Sequence, residues 1–281
     1  MTERKSFLPD IRSTIGVDII KFIHPVEMSF DSKLRMMKIK QFLSFNNDYS
    51  LLLYSNHISL DDLAFPFVIH KIIDPKGERK IVAPISFSHL DQKNQNPFGW
   101  LAKTGVVKTG QFLFSTEIVP VVQSYQVENR KYGYTKEEAS ETYKELFIKI
   151  KDLVKKRDSE KTEFGEIKTK PSVFVFPEAH RKEFKKGQHP KLDRLQDFDM
   201  GVFKLMRYLV PALIVPVGIS YKGEYSRDTN FFRKVFMEVG QPIRQLLGRD
   251  DEPTKEILMS SLVTTLRQLQ TNMKKSAGER T

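Results

Sequence analysis

Short apolar runs alternate along this chain with longer stretches in which apolar residues recur every three or four positions. Short apolar runs are typical of buried strands, and the longer spacing indicates amphipathic helices. The apolar runs predict strands over residues 51–54, 80–85, 117–122, 172–176, 213–220 and 235–239. The helical spacing predicts helices over residues 7–24, 31–45, 63–73, 135–156, 200–209 and 254–274.

Strands that alternate with helices indicate an α/β fold, with a mixed, largely parallel sheet flanked by helices. Within it we expect an N-terminal helical segment, residues 1–46, followed by an α/β domain over residues 47–281. The helix over residues 7–24 could lie at a membrane interface or pack in the core. For the helix over residues 31–45, the predicted apolar side consists of Leu34, Met37, Phe42 and Phe45.

Composition narrows the classes of site and partner. None of the 281 residues is cysteine, which excludes disulfides, thiolate metal sites and cysteine nucleophiles, and the histidines show no metal-ligand spacing, so no metal is expected. A formal charge of +11 favours a polyanionic partner such as an anionic membrane surface or a phosphorylated small molecule, although a solvated lysine-rich surface gives the same charge. Without a nucleic-acid-binding motif, nucleic acid is not an expected partner.

The apolar runs also bear on location. All are far shorter than the roughly 20 residues that a membrane-spanning helix needs. No long apolar segment follows the first residues, so no signal peptide is predicted. The sequence therefore predicts a cytoplasmic protein, peripheral at the membrane.

One histidine and one aspartate stand where a predicted strand gives way to a helix. His57 and Asp62 follow the apolar run 51–54 and precede the apolar helix that begins near residue 63. On one regular helix their side chains would point roughly 140° apart, so they meet only if His57 lies on a turn and Asp62 in the first helical turn. In that geometry the carboxylate fixes the imidazole tautomer, and the imidazole can accept a proton from an alcohol. His57 could instead simply cap the helix.

A second group of polar residues, Glu178, His180 and Arg181, follows the predicted strand 172–176. Parallel α/β sheets place sites at the carboxyl ends of strands, so both groups face one crevice if the two strands are neighbours. Arg181 and the lysines after it supply the charge to hold a phosphate, whereas His180 is either an incidental surface residue or part of a substrate site. The absence of cysteine and of a G-x-S-x-G elbow favours direct attack by an activated substrate hydroxyl.

Four blocks of sequence carry a family resemblance. They are N-H-I-S-L-D-D at residues 56–62, F-P-E-A-H-R at 176–181, I-V-P-V-G-I at 214–219 and V-G-Q-P-I at 239–243. In this order they resemble the N-H-x-S-x-x-D signature, the F-P-E-G-T-R block, the proline-centred strand and the V-G-x-P-I turn of one family. That family is the glycerolipid acyltransferases, which include the lysophosphatidate acyltransferases.

The resemblance implies an O-acyltransferase of phospholipid biosynthesis. A fatty acyl group would pass from an acyl-CoA or acyl carrier protein thioester to a hydroxyl of a glycerol-phosphate or lysophospholipid acceptor, with no cofactor beyond that co-substrate. His57 would be the general base and Asp62 its orienting carboxylate. The residues implied in substrate binding and its support are Asn56, Ser59, Pro177, Glu178, His180, Arg181 and Pro216.

The chain also departs from the family pattern. Ala179 and His180 replace the glycine and threonine of the second block quoted above. The family's arginine-ended strand has no clear match, and the long spacing between His57 and Glu178 predicts an insertion within residues 86–115 or 157–170. Two alternatives therefore stay open: an acyltransferase with a different lipid acceptor, or a catalytically silent lipid- or polyanion-binding protein on the same scaffold.

Overall fold

The computed structural model describes residues 8–87, 105, 108–109, 111–114, 116–128, 132–159, 170–178, 192–198, 200–223, 230, 232–246 and 253–278. The two segments in which an insertion is expected lie largely outside the described residues.

Helices and strands alternate along the described chain. The helices are α1 (Leu8–Ile23), α2 (Phe30–Phe45), α3 (Phe65–Ile73), α4 (Ser124–Glu128), α5 (Lys136–Ser159), α6 (Met200–Met206) and α7 (Lys255–Ser276). A 3₁₀ helix over Leu60–Ala64 leads directly into α3. The strands are β1 (Val26–Met28), β2 (Ser50–Ser55), β3 (Ile81–Ser86), β4 (Thr116–Val121), β5 (Ser172–Val175), β6 (Ala212–Tyr221), β7 (Val235–Val239) and β8 (Ile243–Gln245).

These strands form one eight-stranded sheet in the order β1-β7-β6-β2-β5-β3-β4, with β8 also paired to β6. β2 lies inside the sheet, parallel to β5 on one side and to β6 on the other. The pairs β1–β7, β3–β4 and β3–β5 are also parallel, while β6 pairs antiparallel with β7 and β8. The prediction of a mixed, largely parallel sheet is confirmed.

Helices cover both faces of the sheet, because successive strand residues point to opposite sides. Leu51 and Leu53 of β2 pack with α1, α2 and α3 on one face. Leu52 and Tyr54 pack with α5, α6 and α7 on the other. Burial on both sides explains why β2 is a continuous apolar run instead of an alternating one.

Capping residues fix where several helices begin. Thr135 and Glu138 form the predicted capping box at α5, since each side chain accepts a hydrogen bond from the other residue's backbone N–H, at 3.1 and 2.8 Å. The Thr254 hydroxyl accepts the N–H of Ile257 at the start of α7. Both helix starts therefore agree with the sequence.

The buried face of α2 differs from the predicted one. Its buried residues are Ser32, Met36, Ile39 and Leu43. Of the predicted face, only Phe42 is partly buried, and the prediction was wrong for Leu34, Met37 and Phe45, which are exposed. Ser32 is accommodated inside because its hydroxyl accepts the backbone N–H of Val239 at 2.9 Å.

The N-terminal helices pack on the same core as the rest of the domain. β1 adds a parallel strand beside β7, and both α1 and α2 contact α3. Val17 and Ile20 give α1 the core-packing face that was one of its two predicted roles, while its outward residues Ile15, Ile19 and Phe22 stay exposed. No helix of the described chain is long and apolar enough to cross a membrane.

Candidate active site

The predicted site lies at the edge of the sheet where β2, β5 and β6 end. β2 and β5 are parallel neighbours, with Tyr54 opposite Val175 in their register. His57 comes just after β2, and Glu178 comes just after β5. The condition that the two strands be neighbours is met, and their pairing brings both loops to one edge of the sheet.

His57 and Asp62 meet at this edge. Nδ1 of His57 lies 3.3 Å from Oδ2 of Asp62. The contact forms because His57 lies on the loop after β2 while Asp62 belongs to the 3₁₀ helix before α3, so the two do not share a regular helix. The geometry that the sequence required for this pair is therefore present.

The Asp62 carboxylate also holds its own loop. Oδ2 accepts the backbone N–H groups of Ile58, at 2.5 Å, and of Ser59, at 2.8 Å. Oδ1 accepts the hydroxyl of Tyr221 at 2.6 Å. Because Asp62 is fully buried, these donors replace the hydrogen bonds that water would otherwise make. One carboxylate thus caps the loop and faces the imidazole.

His57 is held by two further contacts, one to its backbone and one to its ring. Its backbone N–H donates to Oε1 of Glu178 at 3.3 Å, and the ring of Phe176 lies against the imidazole with centroids 4.6 Å apart. A carboxylate at Nδ1 favours the tautomer with its proton on Nδ1, which leaves Nε2 as the acceptor. Nε2 makes no hydrogen bond to the described residues, and 11% of the side chain is exposed. Nε2 is therefore the atom available to take a proton.

β6 fixes the path of the chain from the end of β2 to His57. The Ser55 hydroxyl donates to the carbonyl of Val217 at 2.7 Å. The Asn56 amide bonds both backbone groups of Ile219, donating to its carbonyl at 3.0 Å and accepting from its N–H at 2.9 Å. Asn56 therefore extends the pairing of β2 with β6 beyond the end of β2.

Ser59 is fully buried, and its hydroxyl accepts a hydrogen bond from Nδ2 of Asn230 at 2.9 Å. Its backbone N–H is bonded to Asp62, as described above. Both groups of Ser59 are thus used to hold the loop.

Glu178 is almost fully buried, and both of its carboxylate oxygens have partners. Oε1 accepts from His57, and Oε2 accepts the backbone N–H of Gln196 at 2.8 Å. The side chain thus ties the His57 loop to the segment 192–198. Pro177 is buried beside it. His180 and Arg181 lie outside the described residues.

Pro216 lies inside β6, opposite Tyr54, and accepts the backbone N–H of Gly240 at 2.9 Å through its carbonyl. A Cβ at Gly240 would stand 2.7 Å from the Pro216 ring and 2.1 Å from the hydroxyl of Thr265. Only glycine fits there. The third and fourth sequence blocks therefore contact each other behind the site.

Sequence reasoning missed Tyr221, Asn230 and Gln196, and it gave Phe176 no role beyond its place in the second motif block. Tyr221 follows Val217 and Ile219 at the two-residue spacing of one strand face, which is the signal that could have placed it beside the loop. The predicted strand ended one residue too early, at Ser220. Asn230 and Gln196 lie outside regular elements, where spacing gives no direction.

The described residues contain no cluster of three or more histidine, aspartate or glutamate side chains that could hold a metal ion. No protein-family model matches the chain, and no curated protein matches it significantly. The resemblance to glycerolipid acyltransferases thus depends on the four motif blocks themselves.

Proposed function

We propose that this protein is an O-acyltransferase. It moves a fatty acyl group from an acyl-CoA or acyl carrier protein thioester to a hydroxyl of a glycerol-phosphate or lysophospholipid acceptor. The observation that carries the proposal is the His57–Asp62 pair, whose carboxylate faces Nδ1 while Nε2 has no partner among the described residues.

In the proposed reaction, Nε2 of His57 accepts the proton of the acceptor hydroxyl as its oxygen attacks the thioester carbonyl carbon. The new C–O bond forms, the C–S bond breaks, and the thiolate leaves with the proton that His57 returns. The buried carboxylate of Asp62 stabilises the imidazolium that exists between these two proton transfers.

Direct transfer is favoured over a covalent acyl-enzyme. The chain has no cysteine. The two serines that flank His57 most closely are engaged elsewhere: the Ser55 hydroxyl donates to Val217, and the buried Ser59 hydroxyl accepts from Asn230. Neither forms a hydrogen bond with the imidazole, as an activated nucleophile would.

The acceptor is proposed to carry a phosphate, on the basis of Arg181 and the lysines that follow it in the sequence. Replacing Arg181 with alanine should raise KM for a phosphorylated acceptor and leave KM for the thioester unchanged. An unaffected acceptor KM would favour a lipid without that phosphate.

We further propose that the reaction takes place at an anionic membrane surface. Large apolar side chains on the outer faces of α1 and α2 are exposed, among them Phe22, Phe30, Met37 and Phe45. Lys33, Lys38 and Lys40 of α2 are interspersed with these residues. Apolar side chains flanked by lysines suit an interface in which rings enter the lipid and ammonium groups meet acidic headgroups.

The test is thiol release from acyl-CoA and from acyl carrier protein across a panel of lysophospholipids and glycerol phosphate. We expect release that depends on the acceptor, with one acylated lipid formed per thiol. A protein that binds anionic vesicles but releases no thiol with any acceptor would instead be the silent lipid-binding alternative.

A further inference from the structure

We infer that Tyr221 is a positioning residue that holds Asp62 in register with His57; the inference depends on the proposed general-base role of His57. The hydroxyl of Tyr221 donates to Oδ1 of Asp62 at 2.6 Å, a length typical of strong hydrogen bonds to a carboxylate. Tyr221 is not part of any of the four motif blocks.

The contact arises from the length of β6. Along the paired edge, Ser55 at the end of β2 is opposite Val217, and β6 continues past this point to Tyr221. Alternate residues of β6 share one face of the strand. The backbone of Val217 and of Ile219 bonds the side chains of Ser55 and Asn56, and the Tyr221 side chain, on the same face as those of Val217 and Ile219, reaches Asp62.

Tyr221 contacts the one carboxylate oxygen that the loop does not use. Oδ2 of Asp62 is shared between two loop N–H groups and Nδ1 of His57. Oδ1 accepts the Tyr221 hydroxyl, which sets the plane of the carboxylate and hence the direction from which Oδ2 meets the imidazole. The contact from Oδ2 to Nδ1 of His57 is the longest of the three, at 3.3 Å, so it is the one most sensitive to rotation of the carboxylate plane.

The tyrosine ring is itself fixed. It is buried, and it packs edge-on against Phe65, with centroids 6.1 Å apart, and against His24, at 6.4 Å. A ring held in this way brings its hydroxyl to one place, so the hydrogen bond acts as a rigid support for Asp62. Of the titratable groups nearby, His57 faces Asp62, His24 faces the Tyr221 ring, and Glu178 accepts the backbone N–H of His57.

Tyr221→Phe keeps the ring and removes only the hydroxyl, which would leave Oδ1 buried without its donor. We expect kcat to fall about tenfold, with KM for both substrates unchanged because Tyr221 is buried away from solvent.

Tyr54→Phe is the matched control. Tyr54 is equally buried, and its hydroxyl donates to the carbonyl of Leu258 at 3.1 Å on the opposite face of the sheet. It should lose comparable stability and keep the wild-type kcat. A Tyr221→Phe variant that changes only in stability, as the control does, would overturn the inference.

A second readout does not require turnover. A hydrogen-bonded Nδ1–H of His57 gives a low-field proton resonance by NMR, which we expect in the wild type and Tyr54→Phe but displaced or absent in Tyr221→Phe. Absence of thiol release in the wild type would refute the proposed function and leave this comparison to decide the positioning role. An identical resonance in all three proteins would contradict that role.

Discussion

Asp62 is removed from water, and four donors take the place of its solvent hydrogen bonds: two loop N–H groups, the Tyr221 hydroxyl and Nδ1 of His57. The loop and the imidazole thus depend on the same side chain. A substitution that keeps the shape of Asp62 and removes its charge separates these two tasks.

Asp62→Asn is that substitution. Its carbonyl oxygen can still accept the two loop N–H groups, so the fold should persist, but the imidazolium loses its counter-charge. We expect kcat to fall about 100-fold or more. Asp74→Asn is the control, because Asp74 is a buried aspartate that also accepts backbone N–H groups, those of Glu78 and Arg79, away from the site. Equal activity in the two variants would contradict the role of Asp62.

A second buried histidine makes stability depend on pH. The pKa of His70 is lowered from 6.5 to about 4, chiefly by burial; Asp74 opposes this shift, and the positive charges of Arg79 and Lys71 contribute to it. Between these two pH values the unfolded chain binds more protons than the folded protein. The free energy of unfolding should therefore fall as the pH drops from 6.5 to about 4, by on the order of 3 kcal/mol.

His70→Gln tests this dependence, because glutamine can keep a hydrogen bond to Ser172, whose hydroxyl lies 2.9 Å from Nε2 of His70. Urea unfolding across the same pH window should show a shallower loss of stability in the variant. Identical slopes in the two proteins would assign the pH dependence to other groups.

At the scale of secondary-structure elements, burial on two sides made the central strands easy to predict and the edges hard. β2 and β6 are continuous apolar runs, and β7 was predicted with its observed bounds. β1 is three residues long, too short for a periodic signal, and was missed. α2 carries apolar residues around most of its circumference, so its sequence could not show that Ser32, through its bond to Val239, turns inward.

The candidate site was predictable where a motif coincided with the end of a strand. His57, Asp62, Asn56 and Glu178 were identified in this way. Tyr221 and Asn230 were not, because their contacts join positions more than 150 residues apart in the chain. Such contacts depend on the order of strands in the sheet, which spacing along one sequence does not specify.

The turn after β7 gives a prediction at this scale. In Gly240→Ala the new Cβ would overlap Thr265 and the ring of Pro216, so β6, β7 and α7 would have to separate locally. We expect a loss of about 1–3 kcal/mol in the free energy of unfolding. Gly105→Ala is the control, since no atom of the described residues outside its own stretch of chain lies within 4 Å of its added Cβ. Equal stability in both variants would show that the contact at Gly240 relaxes freely.

At the scale of the whole molecule, the two layers of helices differ in what they expose. Phe22 of α1 and Phe45 of α2 are 78% and 81% exposed, on the layer that also packs against α3 beside the candidate site. This layer is the one that we propose to contact a lipid surface. Charge and apolar area then act together, so binding should weaken both when salt screens the lysines and when the rings are removed.

Phe22→Ser and Phe45→Ser should each weaken binding to vesicles that contain anionic phospholipid by about tenfold or more. This is the loss expected when one phenylalanine ring no longer enters the lipid. Ile148→Ser is the matched control, because Ile148 is 58% exposed on α5, in the opposite layer. Cosedimentation with vesicles measures all three variants. Equal losses at all three positions would mean that neither layer is a specific membrane surface.

The proposed chemistry depends most directly on His57. The decisive measurement is acceptor-dependent thiol release by His57→Ala, beside the wild type and His70→Gln, with rates expressed per folded molecule. Without the imidazole, we expect the rate to fall about 100- to 10,000-fold, while His70→Gln keeps the wild-type rate because His70 lies at the opposite end of β5. Wild-type turnover in His57→Ala would contradict its role as the general base.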